Sequence, residues 1–256
     1  MKHILSIFLL FAMAFTANAQ NGLQKAADKM AKNTEESANS IDGPFSGKTY
    51  KLEYLNNAYY ISGLETIYGL TDEMIFVNTL SWMIQQGKVE KEFVKEVDYK
   101  NMRAVYEQPI ESAKSSSTSY KFTMTLQVAG ETISFTISDV EAVHTGLLNS
   151  YRSTAFNKMS PDKNKKQAET IKDFEKVMSK RICALLNFIE AGKAQKVTHW
   201  DEVLRGNVVK GMNETECLLS LGKPMINDMT GGKTRWVYDA RTYIFFEAGK
   251  VSTFLK

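Results

Sequence analysis

Histidine and cysteine are the scarce reactive residues of this chain, three and two in all. His144 follows Asp139 and Glu141, so an acid can be imagined orienting its imidazole as a general base. Hydrolysis would then need a Ser or Cys within hydrogen-bond reach. No G-x-S-x-G turn is present to supply one. His144 is therefore expected to be a surface or capping residue at a strand end. His199, beside Trp200, is expected to pack near a domain seam. Neither has the spacing of a metal ligand set. Cys183 and Cys217 each fall in a predicted helix with apolar neighbours, Ile182 and Leu185 for one, Leu218 and Leu221 for the other. They read as two buried thiols, with one bridge as the alternative in an oxidising compartment.

The other charged groups point the same way. Glu90-Lys91-Glu92 and Asp201-Glu202 read as solvated faces, because acids paired in sequence are not thereby paired in a cleft. Gly231-Gly232-Lys233 reads as a turn before a strand, without the strand-loop-helix context of a phosphate loop. Lys163 to Lys166 reads as a solvated loop. No catalytic, cofactor-binding or metal-binding residue is expected, no cofactor is implied, and the chain is read as a non-enzyme with its binding residues unassigned.

The 256 residues include 32 Lys+Arg and 29 Asp+Glu, a net charge of +3, with 43% hydrophobic and 11% aromatic residues. That balance describes a globular chain with enough apolar material for one core or two small ones. It lacks the concentrated basic face of a nucleic-acid binder. Lys2, the apolar run Ile4 to Phe15 and Ala17-Asn18-Ala19 match a secretory signal peptide cleaved after Ala19. The apolar run is too short to span a bilayer, and no Cys follows it to carry a lipid. The expected protein is exported and periplasmic.

The elements that must position any site follow from periodicity. Residues 20–45 read as a flexible leader. A first α+β domain over 46–192 starts with a strand at Tyr59 to Leu64. A helix capped by Thr71 follows, with Met74, Val77, Leu80 and Ile84 at helical spacing and Gly87 as its stop. Strands are expected over Phe93 to Tyr99 and over Met102 to Gln108, the latter ended by Pro109. Tyr120, Phe122, Met124, Leu126 and Val128 alternate with polar residues, and Ile133, Phe135 and Ile137 repeat the pattern beyond Ala129-Gly130. The period of two marks a hairpin with one buried face. A long helix over Gln167 to Ala191 carries Ile171, Phe174, Met178, Ile182, Leu185 and Ile189 on one stripe, expected to cover that sheet. A second α+β domain over 197–256 is read as two helices and a three-strand meander. Asn213 and Glu216 form a capping box for the second helix.

Gly211-Met212-Asn213, Leu221-Gly222-Lys223-Pro224, Trp236-Val237-Tyr238 and Phe246-Glu247-Ala248-Gly249-Lys250-Val251 together resemble the small-protein-A/outer-membrane-lipoprotein-A (BamE-like) family over about residues 206–256. The chain departs from that pattern at Asn213, where Thr is usual, at Cys217, where an apolar residue is usual, and in lacking the lipid-attachment Cys. The first domain is similar to an envelope domain of unknown function with a TBP-like fold. The matching features are Tyr60-Ile61-Ser62-Gly63-Leu64, the Trp82 helix, the hairpins and the long closing helix. Such a fold does not carry DNA binding with it.

These resemblances imply an envelope protein, and antiparallel sheets with an open face or edge suit protein recognition; the chain is expected to bind another envelope protein through its sheet surface or the groove between domains, with outer-membrane assembly or maintenance as the setting. Tyr54, Tyr59, Tyr60, Tyr68 and Tyr99 are candidates for such a surface, although most are expected to line the core. The alternatives are a carrier or sensor of a small apolar or peptide ligand, held between the first sheet and its long helix, and a hydrolase around His144. An apolar cavity favours the ligand, and a flat exposed aromatic patch favours the protein partner.

Overall fold

The computed structural model describes residues 42–255 except Glu90, Leu147 to Asn149 and Gly232. The signal peptide and nearly all of the leader expected from the sequence lie outside the described residues.

A seven-stranded antiparallel sheet forms the larger layer, in the order β1-β2-β6-β5-β4-β3, with β7 also pairing β6. Its strands are β1 (Glu53–Leu55), β2 (Ala58–Thr66), β3 (Val94–Asp98), β4 (Arg103–Glu111), β5 (Thr118–Ala129), β6 (Thr132–Thr145) and β7 (Tyr151–Ala155). The hairpin β5–β6 is the one its alternation predicts: Tyr120 to Val128 at every second residue, and Ile133, Phe135 and Ile137, are all buried. Helix α1 (Asp72–Gln85) is capped by the Thr71 hydroxyl, which accepts from the Met74 N–H. Helix α2 (Lys165–Glu190) starts slightly earlier than expected, because the Asn164 side chain caps it by accepting from the N–H groups of Lys166 and Gln167.

The six-residue stripe of α2 is buried throughout. Phe174, second in that stripe, stands edge-on to Tyr120 at 5.2 Å and to Phe156 at 5.3 Å. Aromatic and aliphatic side chains thus fill the space between first sheet and long helix, where the alternative reading places a ligand. Residues 43–52 run antiparallel to α2 along its outer side. Phe45 N–H donates to the Asn187 amide oxygen, Tyr50 N–H to the Ser179 hydroxyl and Leu52 N–H to the Glu175 carboxylate.

Gly63 pairs with Phe135 across β2 and β6. The Phe135 ring covers it, so an added Cβ would overlap the ring, and Tyr50 braces that ring edge-on at 5.2 Å. Gly63→Ala is expected to cost about 1–3 kcal/mol through overpacking. A fall in the urea midpoint at constant slope checks this; an unchanged midpoint contradicts it.

The smaller layer is built from α3 (Trp200–Arg205), α4 (Glu214–Leu221) and a sheet of β8 (Ile226–Thr230), β9 (Lys233–Val237), β10 (Tyr243–Glu247) and β11 (Lys250–Leu255). The expected three-strand meander is therefore a four-stranded sheet, in the order β11-β10-β9-β8. The sequence hides β8 because it is a wet edge strand: Ile226 and Met229 are exposed, and Asn227 and Asp228 disfavour strands. Two further edges, β1 and β7, escape for the same reason. Pro109 does not end β4, because beyond Tyr106 that strand has no partner on the β3 side, a position where proline is tolerated.

Val203, Met212, Cys217, Trp236, Ile244, Phe246 and Val251 form the second core, and Val77 of α1 belongs to it. Helix α1 thus packs against α2 and β5 on one side and α4 on the other. That is why Ile75 to Met83 are buried without interruption. The described residues from Asp42 to Leu255 form one compact body. No helix among the described residues is long and apolar enough to cross a membrane.

Candidate functional site

The shared helix leaves an open groove of about 890 Å³ where the two layers meet. Leu80, Met83 and Ile84 of α1 form part of its floor, and Val203, Leu204, Leu219 and Leu221 of α3 and α4 form the facing wall. The near wall is Lys88-Val89, then Lys91-Glu92, then Val94 to Val97 of β3. This volume and apolar lining lie in the range of ligand-binding clefts.

Each wall is fixed by local chemistry. At the end of α1, the N–H groups of Gln86 and Gly87 both donate to the Trp82 carbonyl, and Val89 N–H donates to Met83. The Gly87 carbonyl accepts from Arg181 of α2 at 2.8 Å and from Gln108 of β4 at 3.0 Å. The turn carrying Lys88 is therefore held from two other elements. Trp200 opens α3 and is stacked on Tyr99, just beyond β3, at 5.2 Å and 11°. Gly206 closes α3 in the left-handed region at φ 72°, and Lys91 Nζ lies 3.3 Å from where a Cβ on Gly206 would stand. Gly206→Ala is accordingly expected to cost about 1–2 kcal/mol, read as a lower melting temperature; no change would contradict the assigned backbone.

Glu216 locks the start of α3 to the start of α4. Its side chain is fully buried. Oε1 accepts from Thr198 N–H at 2.6 Å, Thr198 Oγ1 at 2.9 Å and His199 N–H at 2.8 Å, and lies 2.9 Å from His199 Nδ1. Oε2 accepts from Asn213 N–H at 2.7 Å, completing the predicted capping box. Burial alone would raise the pKa of this carboxyl, but the donors from Asn213, Thr198 and His199 outweigh it and bring the pKa down to about 2.

Among the described residues that line the groove, lysines outnumber glutamates. Lys88, Lys91, Lys95 and Lys223 line it against Glu92 and Glu96. Lys95 pairs with Glu107, and Glu96 with Arg103. Lys91 and Lys223 form no ion pair with the described residues.

The sequence candidates lie elsewhere or serve other ends. His144 is on β6, with Nδ1 3.0 Å from Thr118 Oγ1. Glu141 instead accepts from Ser153, and Asp139 from Ser138, so neither carboxylate is shown bonded to the imidazole. Cys183 and Cys217 are both buried free thiols; burial pushes the Cys217 thiol up to about 12. None of the five tyrosines is fully buried: Tyr54 and Tyr68 are exposed, and Tyr59, Tyr60 and Tyr99 half-buried. The expectation that most of them line the core fails because Tyr54, Tyr59 and Tyr60 lie on the β1–β2 hairpin at one end of the sheet, and Tyr68 and Tyr99 lie in turns after β2 and β3. Among the described residues, no cluster of three His, Cys, Asp or Glu side chains is placed to hold a metal. The sequence suggested a groove between domains without assigning its residues, since its walls come from four separated segments.

No family model matches the sequence, and no curated protein matches it. Among solved structures, the chain is similar to a TBP-like protein from Parabacteroides distasonis, with 12% identity and a TM-score of 0.46 over 54% of this chain and 96% of the other. It is also similar to a DUF4468 family protein from Bacteroides ovatus, with 12% identity and a TM-score of 0.40 over 57% of this chain and 93% of the other.

Proposed function

We propose that the chain is a non-catalytic protein-binding module of the cell envelope that holds a segment of another envelope protein in the groove between its two layers. The observation that carries this is the groove: an apolar floor with a lysine rim, on walls fixed by hydrogen bonds. The signal-peptide pattern and the BamE-like run over 206–256 support the envelope, and a role in outer-membrane assembly or maintenance belongs to the same reading. The apolar lining also favours a second reading, a carrier or sensor of a small apolar or peptide ligand.

Leu204 lines the groove and is 46% exposed, so Leu204→Asp should alter stability by only about 0.5 kcal/mol. Capture from envelope extract by the wild type, by Leu204→Asp and by Met229→Asp on the far sheet edge tests the proposal. One defined protein should be retained by the wild type and Met229→Asp and lost with Leu204→Asp. Equal retention by all three, or none by the wild type, overturns it.

A further inference from the structure

We infer that the groove takes its occupant as an added β-strand: an extended peptide segment that alternates apolar and acidic residues and pairs with β3. The inference rests on the groove reading above and specifies the partner's chemistry. Among the described residues, strand β3 ends the seven-stranded sheet and is paired on one side only, by β4. Its opposite side carries a row of backbone donors and acceptors available to another chain. Glu96 and Val97 are consecutive residues of β3, so their side chains point to opposite faces of the sheet, yet both line the groove. The groove therefore runs along the open edge of the strand, where a hydrocarbon chain would leave peptide groups unpaired and a polypeptide would pair them.

The side-chain chemistry agrees with a strand of two-residue period. One face of an added strand meets apolar side chains, Ile84 of the floor with Val203 and Leu204 of the facing wall. The other meets a rim where Lys91 and Lys223 form no ion pair with the described residues, which favours carboxylates. The bulge between Val94 and Glu96 bends the edge locally, which limits indiscriminate pairing. Acidic side chains then select a partner that the strand edge alone would not discriminate.

The test uses the full chain, as wild type and as Leu204→Asp, with a blocked octapeptide alternating valine and glutamate. Comparison probes are the same peptide with lysine for glutamate, the same peptide with alternate backbone amides N-methylated, and decanoate. Binding is read by titration, and its mode by amide hydrogen exchange at Val94–Asp98 and at the other edge, Glu53–Leu55. The expected result is binding of the valine–glutamate peptide with slowed exchange at Val94–Asp98 alone. The lysine peptide should bind about tenfold more weakly, the N-methylated peptide should lose binding, and Leu204→Asp should weaken all of it. Peptide binding that is sensitive to Leu204→Asp but leaves β3 exchange unchanged overturns strand addition and keeps the groove. Decanoate binding without peptide binding overturns the inference in favour of an apolar anion. Binding indifferent to Leu204→Asp overturns the inference and the groove reading together, and failure of every probe to bind overturns the inference.

Discussion

Glu216→Ala is expected to destabilise the protein by about 3–5 kcal/mol, the scale of breaking a buried charged network. The carboxylate satisfies the backbone N–H groups of Thr198, His199 and Asn213 and the Thr198 hydroxyl, and contacts His199 Nδ1. Alanine leaves the buried Asn213 N–H and the part-buried donors of Thr198 and His199 without that acceptor, and each unsatisfied buried group costs on the order of 1–3 kcal/mol. Glu216→Gln keeps the shape but turns an amide NH₂ toward N–H donors, so it should lose roughly half as much. The pH dependence has a definite sign. The folded-state pKa is lowered from 4.5 to about 2, so the stabilisation is fully present above about 4.5 and disappears as pH falls toward 2. The gap between wild type and Glu216→Ala should narrow over that window, as measured by urea unfolding from pH 6 to pH 2.5. A gap independent of pH would contradict the buried ionised carboxylate.

Phe174→Ala should cost a similar amount, about 3–5 kcal/mol. Phe174 is fully buried, and its ring contacts Tyr120, Phe122 and Phe156 within 6.4 Å. These rings come from β5, from the turn after β7 and from α2, so the cavity left by alanine lies between elements that cannot all close on it. Loss of near-ultraviolet aromatic signal at a lower denaturant midpoint is the expected observation. A loss below about 1 kcal/mol would mean that the long helix does not pack on the sheet at this point.

The elements with one dry and one wet face were legible in the sequence. The alternation of Tyr120 to Val128 and the stripe from Ile171 to Ile189 state their own burial, and both are buried as the pattern requires. Helix α1 was only half legible: Met74, Val77, Leu80 and Ile84 mark one face. Ile75, Phe76, Trp82 and Met83 are buried on the other, because the helix lies between two cores. Strands β1, β7 and β8 left little trace, since an edge strand with both faces near water needs no apolar alternation. Asn213 and Glu216 announced a capping box. The three further bonds that Glu216 accepts from Thr198 and His199 come largely from backbone N–H groups, which have no residue signature. The groove was the least legible feature, being a gap made by α1, β3, α3 and α4 rather than a property of any one of them.

The central claim is that this gap is where a partner sits. Hydrogen exchange across the chain, alone and in complex with the protein that the wild type captures, tests it most directly. The account predicts slowed exchange in residues 88–97 and 200–223 and no change at Glu53–Thr66 or Ile226–Thr230. Slowing confined to the β1–β2 hairpin or to β8, with residues 88–97 exchanging as in the unbound chain, would contradict it.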